Sequence, residues 1–438
     1  MTNCIMGACR MIKRLGNIIF LCILVVLAAV FIQVDKNEFE EKVKSQFSTS
    51  DLLADYDYLW ETLEAEYLFF PVLEEQNIDI ESIKKTTYEQ IENMEPDLEQ
   101  YYRVLDKMFL QMKYFAHLSL IDGHAFQIYQ QFYNNKDSQD TGWRQTLQYE
   151  QTQHTYNNLL NTEFRIGKNV KLPEITTRYD ENRKAVIFKI QSFDANLMER
   201  DMNFIQEYLD SLGKPEVEHI VFDITGNVGG SDYYWMNHIV APFGENVTRT
   251  TTLYLKDSEL SKKYFGSYDL HPISKYTPSE KLPKFVEQLG ITHYIVSEDT
   301  IYGTEQLSDD VLNAKRWVLI DDRVYSSADS FADFCKSSGW ATLVGIGTKG
   351  DGIGTTPILV SLPNTGLLVR FSAMAGANEK GQLNVLYGTY PDYYSDFKRK
   401  ENPLNTVYRL IDTVECGGKV THPCDTIWVE MGGKTDAK

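Results

Sequence analysis

Apolar side chains recur along this chain in two rhythms, and each predicts a different kind of element. Leu52, Tyr56, Leu59, Leu63 and Tyr67 follow one another at spacings of four and three, as one face of a helix requires, with Ser50 as its cap. Pro71 and the polar stretch after it break the pattern, and Leu98, Tyr101, Leu105, Met108 and Met112 restart it as a second stripe. From AVIFKI (185–190) onward the rhythm changes to short, nearly continuous apolar runs: IVFDI (220–224), WVLI (317–320), ATLVG (341–345), PILVSL (357–362) and GLLVRFS (366–372). Runs of this length predict buried strands. Phe204, Ile205, Tyr208, Leu209 and Leu212 predict an amphipathic helix among them, as do Phe331, Phe334 and Cys335 in a helix starting near Ala328. Strand and helix in alternation predict an α/β sheet domain over 185–415, with the last two strands completing the sheet through a tight PNTG connection.

Gly16 to Val34 is a different kind of run: 19 residues whose only polar side chains are Asn17 and Gln33. At about 1.5 Å per residue it is long enough to span a bilayer. Lys13 and Arg14 before it and DKNEFEE after it predict a short cytoplasmic tail over 1–15 and the bulk of the chain outside the cell. No A-x-A site follows the apolar core, which favours a retained anchor over a cleaved signal, the latter giving a secreted protein. The organisation expected beyond the membrane is a small helical domain over 35–115, a polar helical insert and linker over 116–184, the sheet domain, and a tail over 416–438. Composition narrows the partners. With 43 basic against 62 acidic residues the net charge is −19, which argues against a nucleic-acid partner. Cys416 and Cys424 flank GGKVTHP and could close a disulfide loop outside the cell, whereas Cys335 sits on an apolar helix face. No C-x-x-C pair and no H-E-x-x-H is present, so no metal is expected, and nothing in the sequence implies an organic cofactor.

The candidate chemistry gathers where strands end. Ser326 and Ser327 fall between WVLI and the helix that follows, where free backbone N–H groups and the positive end of a helix dipole suit a developing oxyanion. A serine there can be a nucleophile or a helix cap, and spacing does not separate the two. TGNVGG follows IVFDI in the same way; its glycines can form a plain turn, or can bring backbone N–H groups close to a scissile carbonyl. A dinucleotide site is excluded because the spacing is not G-x-G-x-x-G. Among the histidines, His117 in FAHLSL directly precedes an alternating strand pattern, and His124 sits in a literal D-G-H at 122–124.

Three ordered segments resemble peptidase family S41, the C-terminal processing and tricorn-like serine peptidases. These are VFDITGNVGG (221–230) for that family's D-x-R-x-N-x-G-G, the SSAD elbow with GWATLVG after it, and YGTYPD (387–392) for G-V-x-P-D. The resemblance covers about the last 250 residues. It implies a crotonase/ClpP-like ββα superhelix core and serine peptidase hydrolysis of a peptide or protein substrate. It places Ser326 at the nucleophile and His117 at the general base, with His124 as competitor, and gives Gly229, Gly230 and Ser327 as oxyanion donors. Nothing in 125–180 resembles the glycine-rich loop of a PDZ domain. The chain departs from the family at three places: Asp351 stands where the processing branch has a lysine base, with Lys349 two residues away; Val385 stands where the tricorn-like branch has an orienting glutamate; and Ala116 replaces a helper serine. These departures motivate the alternative of a weakly active or inactive relative that binds peptides or cell-envelope polymer.

Overall fold

The computed structural model describes residues 47–133, 141–159, 173–211, 216–276, 281–304, 307, 309–354, 357–396 and 401–415. Residues 16–34, expected as a membrane anchor, and Cys416 and Cys424, expected to close a disulfide loop, lie outside them. Among the described residues no helix is long and apolar enough to cross a membrane.

A six-stranded sheet organises the C-terminal half. Its order is Tyr393–Tyr394, Thr342–Gly345, Lys315–Ile320, His219–Asp223, Ala185–Lys189, Thr176–Asp180, parallel throughout except for the last pair. The nearly continuous apolar runs follow from this position, because a parallel strand in mid-sheet is covered on both faces. Val186, Phe188, Ile220, Phe222 and Val318 pack on one face beneath the helix Ser327–Ser338, where Phe331, Phe334 and free Cys335 are buried. Ile187, Val221, Trp317 and Leu319 face the other way, against Val407 and Ile411 of the helix Pro403–Glu415. Removing a fully buried aromatic such as Phe331 from this core would cost about 3–5 kcal/mol.

The runs 357–362 and 366–372 form strands, but they do not complete that sheet. Ile358–Ser361 and Leu368–Phe371 pair as an antiparallel hairpin in a separate three-stranded sheet whose third member is Ser119–Leu120, with Ser119 opposite Arg370 and Leu120 opposite Val369. Apolar runs specify strands and not partners, and here the partner comes from about 250 residues earlier in the chain. A further sheet is built on two nine-residue strands, Val247–Leu255 and His293–Ile301, with Met374–Gly376 and His271–Pro272 at its edges.

The helical stripes fold as Thr49–Glu66 and Leu98–Gln111, burying Leu52, Tyr56, Leu59, Leu63, Tyr101, Leu105 and Met108. Ser48 caps the first helix rather than Ser50: its hydroxyl accepts from the Asp51 N–H while the Asp51 carboxylate accepts from the Ser48 N–H, a reciprocal box that Ser50 lacks. These helices share one apolar core with the hairpin, in which Leu359, Leu368, Val369 and Phe371 are buried beside them. Asp55, fully buried on the first helix, accepts from the N–H groups of Asn364 (2.7 Å) and Thr365 (2.7 Å) and from the Thr365 hydroxyl (2.6 Å). That carboxylate ties the first helix to the PNTG turn, so the helices, the hairpin and the short strand after His117 are held as one.

Candidate active site

The segment that carries His117 is bent and pinned. Lys113, Tyr114, Ala116 and His117 all have positive φ (59°, 47°, 50° and 60°), a conformation that non-glycine residues keep only where surrounding contacts impose it. Those contacts are present. Tyr67, at the end of the first helix, donates its hydroxyl to the Phe115 carbonyl at 2.8 Å, and Ser372 donates its N–H to the Ala116 carbonyl at 2.9 Å. The three-stranded sheet then carries the chain away from His117, so that its ring projects toward the end of the main sheet.

From the other side, Lys315–Ile320 ends and the chain turns through Tyr325 and Ser326 into the helix Ser327–Ser338. Ser326 sits at the cap position with φ 55° and ψ −128°, and its side chain makes no capping hydrogen bond. Its hydroxyl meets His117 Nε2 at 2.9 Å. The cap and nucleophile readings, inseparable in sequence, differ in where the hydroxyl points, and it points at an imidazole. His124 lies exposed in the first turn of the helix Gly123–Tyr133, and the Lys349 ammonium sits 4.9 Å over the Tyr325 ring.

The other ring nitrogen of His117 faces two acceptors. Ser372 Oγ hydrogen-bonds Nδ1 at 3.1 Å, and Asp351 Oδ2 lies 2.7 Å from it. The Asp351 carboxylate can only accept, so it favours a proton on Nδ1, with the Ser372 hydroxyl able to accept as well, and this leaves Nε2 free to accept a proton from Ser326. Asp351 is itself held: the Tyr325 hydroxyl donates to its Oδ2 at 2.6 Å, and the Tyr325 ring lies 5.0 Å from the imidazole. Burial, with the Asp351 charge adding to it, pushes the Tyr325 phenol far above its ordinary range, so it stays a donor. Asp351, read in sequence only as a missing lysine, is thus the carboxylate beside the histidine. Ser372 supplies a hydroxyl that Ala116 could not. Val385, where the tricorn-like branch has a glutamate, is a partly buried apolar side chain against the core.

The glycine turn lies against the serine. A Cβ at Gly229 would come within 2.8 Å of the Tyr325 carbonyl and 2.9 Å of the Ser327 nitrogen, and one at Gly230 within 2.2 Å of the Phe193 carbonyl. Their φ values of 99° and 146° also require glycine. As an oxyanion donor Gly229 needs correction, because its N–H is taken by Asn227 Oδ1 at 2.8 Å; Gly229 contributes room for close approach and not a free donor. The bridge to Phe193 uses the Gly229 carbonyl and the Ser231 N–H, so the Gly230 N–H points to the opposite side. Ser327 opens its helix, where the first N–H groups have no partner within the helix.

A cleft of about 440 Å³ opens over His117, Ser326, Gly229 and Gly230. The polar insert supplies its far wall through Ile128, Tyr129, Phe132, Tyr133 and Trp143. Exposed Val228 and Tyr233 stand at the rim with Asp194 and Asp232, and Arg370 on the floor is held by Ser119 Oγ (3.1 Å) and Tyr129 Oη (2.8 Å). Among the described residues no group of His, Cys, Asp or Glu side chains is placed to hold a metal ion.

Residues 184–395 match the model of peptidase family S41. No curated protein matches the chain. Solved structures similar to it include mature CPAF, at 12% identity and TM-score 0.48 over 84% of this chain and 96% of that one. A lipoprotein from Streptococcus agalactiae is 11% identical with TM-score 0.40, over 76% of this chain and 88% of that one. The photosystem II D1 C-terminal processing protease is 17% identical with TM-score 0.35, over 56% and 54%. Likeness at this level says nothing of chemistry. His117 lies before the matched segment, so its place beside Ser326 stands on geometry alone.

Proposed function

With residues 184–395 belonging to peptidase family S41, we propose that this chain is a serine peptidase that hydrolyses peptide bonds through an acyl-enzyme, with Ser326, His117 and Asp351 as its catalytic group. The observation that carries the reading is the line from Ser326 Oγ to His117 Nε2 at 2.9 Å with the Asp351 carboxylate 2.7 Å from Nδ1. In this mechanism Ser326 Oγ attacks the scissile carbonyl carbon while its proton passes to Nε2. The Asp351 charge stabilises the imidazolium, which then returns the proton to the leaving amine. Water, activated by the same imidazole, attacks the acyl-serine and regenerates Ser326. The carbonyl oxygen, charged in the tetrahedral intermediate, is placed against the N–H groups of Gly230 and Ser327, at the positive end of the helix Ser327–Ser338. The cleft's aromatic wall suits peptides carrying large apolar side chains near the cut bond.

The reading places the enzyme at a membrane, retained by residues 16–34 with the bulk of the chain outside the cell; the length and apolarity of that run support it. Two experiments test these statements. The full chain in detergent should release new amino termini from an unfolded protein substrate, and Ser326→Ala should release none; equal release by both forms would refute the mechanism. Protease added to intact cells should remove the ectodomain while a tag placed before Lys13 stays protected. An ectodomain that survives this treatment, or a mature chain beginning near Val30, would refute the anchor.

A further inference from the structure

The third residue after Ser326 is also an acid, and nothing in the mechanism above uses it. Asp329 lies in the first turn of the helix Ser327–Ser338 and is fully buried. An acid in that place ordinarily turns back to its own helix's free N–H groups. This one does not. Its Oδ1 accepts from the Thr348 hydroxyl at 2.5 Å, and its Oδ2 accepts from the Gly352 N–H at 2.9 Å and from Asn384 Nδ2 at 2.9 Å. Thr348 and Gly352 bracket the loop that carries Asp351. One carboxylate therefore grips that loop on both sides of the residue facing His117.

We propose that Asp329 is a positioning residue: its carboxylate clamps the loop 348–352 onto the first turn of the nucleophile's helix and so holds Asp351 against His117. The proposal rests on the assignment of Asp351 to the catalytic group. Asp351 has φ 63°, so its backbone would relax to another conformation if the flanking peptides were released. The peptide before it is tied by the Gly350 carbonyl, which accepts from the Ser326 N–H at 3.0 Å. The peptide after it is tied through the Gly352 N–H to Asp329 and, at 3.1 Å, to Asn384 Oδ1. Gly352 is glycine because a Cβ there would fall 2.2 Å from the Ser330 nitrogen and 2.6 Å from the Ser326 carbonyl. Loop and helix thus touch backbone to backbone, with Asp329 as the side chain that fixes the distance. Nucleophile and carboxylate are referenced to one helical turn, and the histidine arrives from a distant part of the chain to meet both.

The test uses the full chain in detergent and two readouts. The first is the rate at which a fluorophosphonate labels Ser326. Asp329→Ala should slow it by about 10- to 10²-fold, the scale of a catalytic group misplaced by about 1 Å. Asp329→Asn, whose amide oxygen can face Gly352 and Asn384 while its NH₂ faces Thr348 Oγ, should recover to within about threefold of the unmodified chain. On an Asp351→Asn background, Asp329→Ala should add little, because a residue that acts through Asp351 has nothing left to act on. The second readout is the ¹⁵N spectrum of neutral His117, which reports the fraction of rings protonated at Nδ1. That fraction should fall in Asp329→Ala as it does in Asp351→Asn, and it is read whether or not the chain is a peptidase. If the unmodified chain does not label, the peptidase reading falls and the spectrum alone decides the clamp. Should Asp329→Ala not fold, Thr348→Val keeps the Asp329 carboxylate and its Oδ2 ties while removing the Oδ1 tie, together with the acceptor of the Thr389 N–H, and should still slow labelling severalfold. Full labelling with an unchanged ring spectrum in the folded variants, or losses that simply multiply in the double variant, would overturn the proposal.

Discussion

Replacing Asp351 by Asn changes one charge and little shape, and the structure sets the size of the expected effect. In the transition state the His117 ring becomes a cation, and with Asp351 Oδ2 2.7 Å from Nδ1 the two charges are centred roughly 4 Å apart. At an effective permittivity of about 20, suited to a partly buried pair, they attract by roughly 4 kcal/mol. Each 1.4 kcal/mol or so is a factor of ten in rate, so losing the charge should slow reaction at Ser326 by about 10²- to 10³-fold. The Asn carbonyl can still accept from Tyr325 or from Nδ1, and Ser372 Oγ remains 3.1 Å from Nδ1, so ring orientation survives in part and the loss is mostly electrostatic. The assay is the second-order rate of fluorophosphonate labelling at fixed pH, with circular dichroism to show that the variant is folded. Tyr325→Phe, which leaves the charge and removes one donor to it, should lose less than about tenfold, in line with a single hydrogen bond. A folded Asp351→Asn chain that labels within about threefold of the unmodified rate would refute the role given to this carboxylate.

Three further outcomes follow from the same contacts. His117→Ala should slow labelling by about 10²-fold or more, whereas His124→Ala should leave it within about twofold, since it is His117 that meets the Ser326 hydroxyl while His124 lies exposed in the first turn of its helix; a larger loss in His124→Ala would return the base assignment to His124. Asp55→Ala strands the N–H groups of Asn364 and Thr365 inside the protein and should destabilise the chain by on the order of 3 kcal/mol, measured by denaturant unfolding, with a shift below about 0.5 kcal/mol contradicting the tie to the hairpin. Burial raises the Asp333 carboxyl to about 7 against a partial pull downward from Arg249; because the folded value lies above the ordinary 3.8, the stability it contributes is complete below about pH 4 and lost as pH rises through about 7. Asp333→Asn should flatten the melting temperature over that window, and an unchanged slope would count against it.

Local features of the site were legible in the sequence and tertiary ones were not. A strand ending, two serines and an amphipathic helix are consecutive, so the junction at Ser326 could be located from pattern alone, and the alternation in FAHLSL picked His117 over His124. Register sets Asp351 only against the family's lysine, because nothing local shows that the 348–352 loop lies over an imidazole from residue 117. Ser372 was hidden for the same reason: it reaches His117 only because its strand leaves the expected sheet to pair with Ser119–Leu120. Val247–Leu255 and His293–Ile301 carry Thr, Ser and charged side chains in place of an apolar run and gave no strand signal, although each extends over nine residues. Ser48 and Ser50 are both plausible caps; only Asp51, three residues after Ser48, decides between them.

Whether Ser326 is an activated nucleophile can be read covalently. A fluorophosphonate reacts with a serine only where a base and an oxyanion site activate it, and peptide mass spectrometry of the labelled chain identifies the modified residue. One modified serine is expected, Ser326, with no labelling of Ser326→Ala and most of the labelling kept in Ser327→Ala, whose contribution is its backbone N–H. A folded chain that remains unlabelled between pH 7 and 9, or a Ser326→Ala form that labels as the unmodified chain does, would contradict it and leave peptide binding without hydrolysis as the better description.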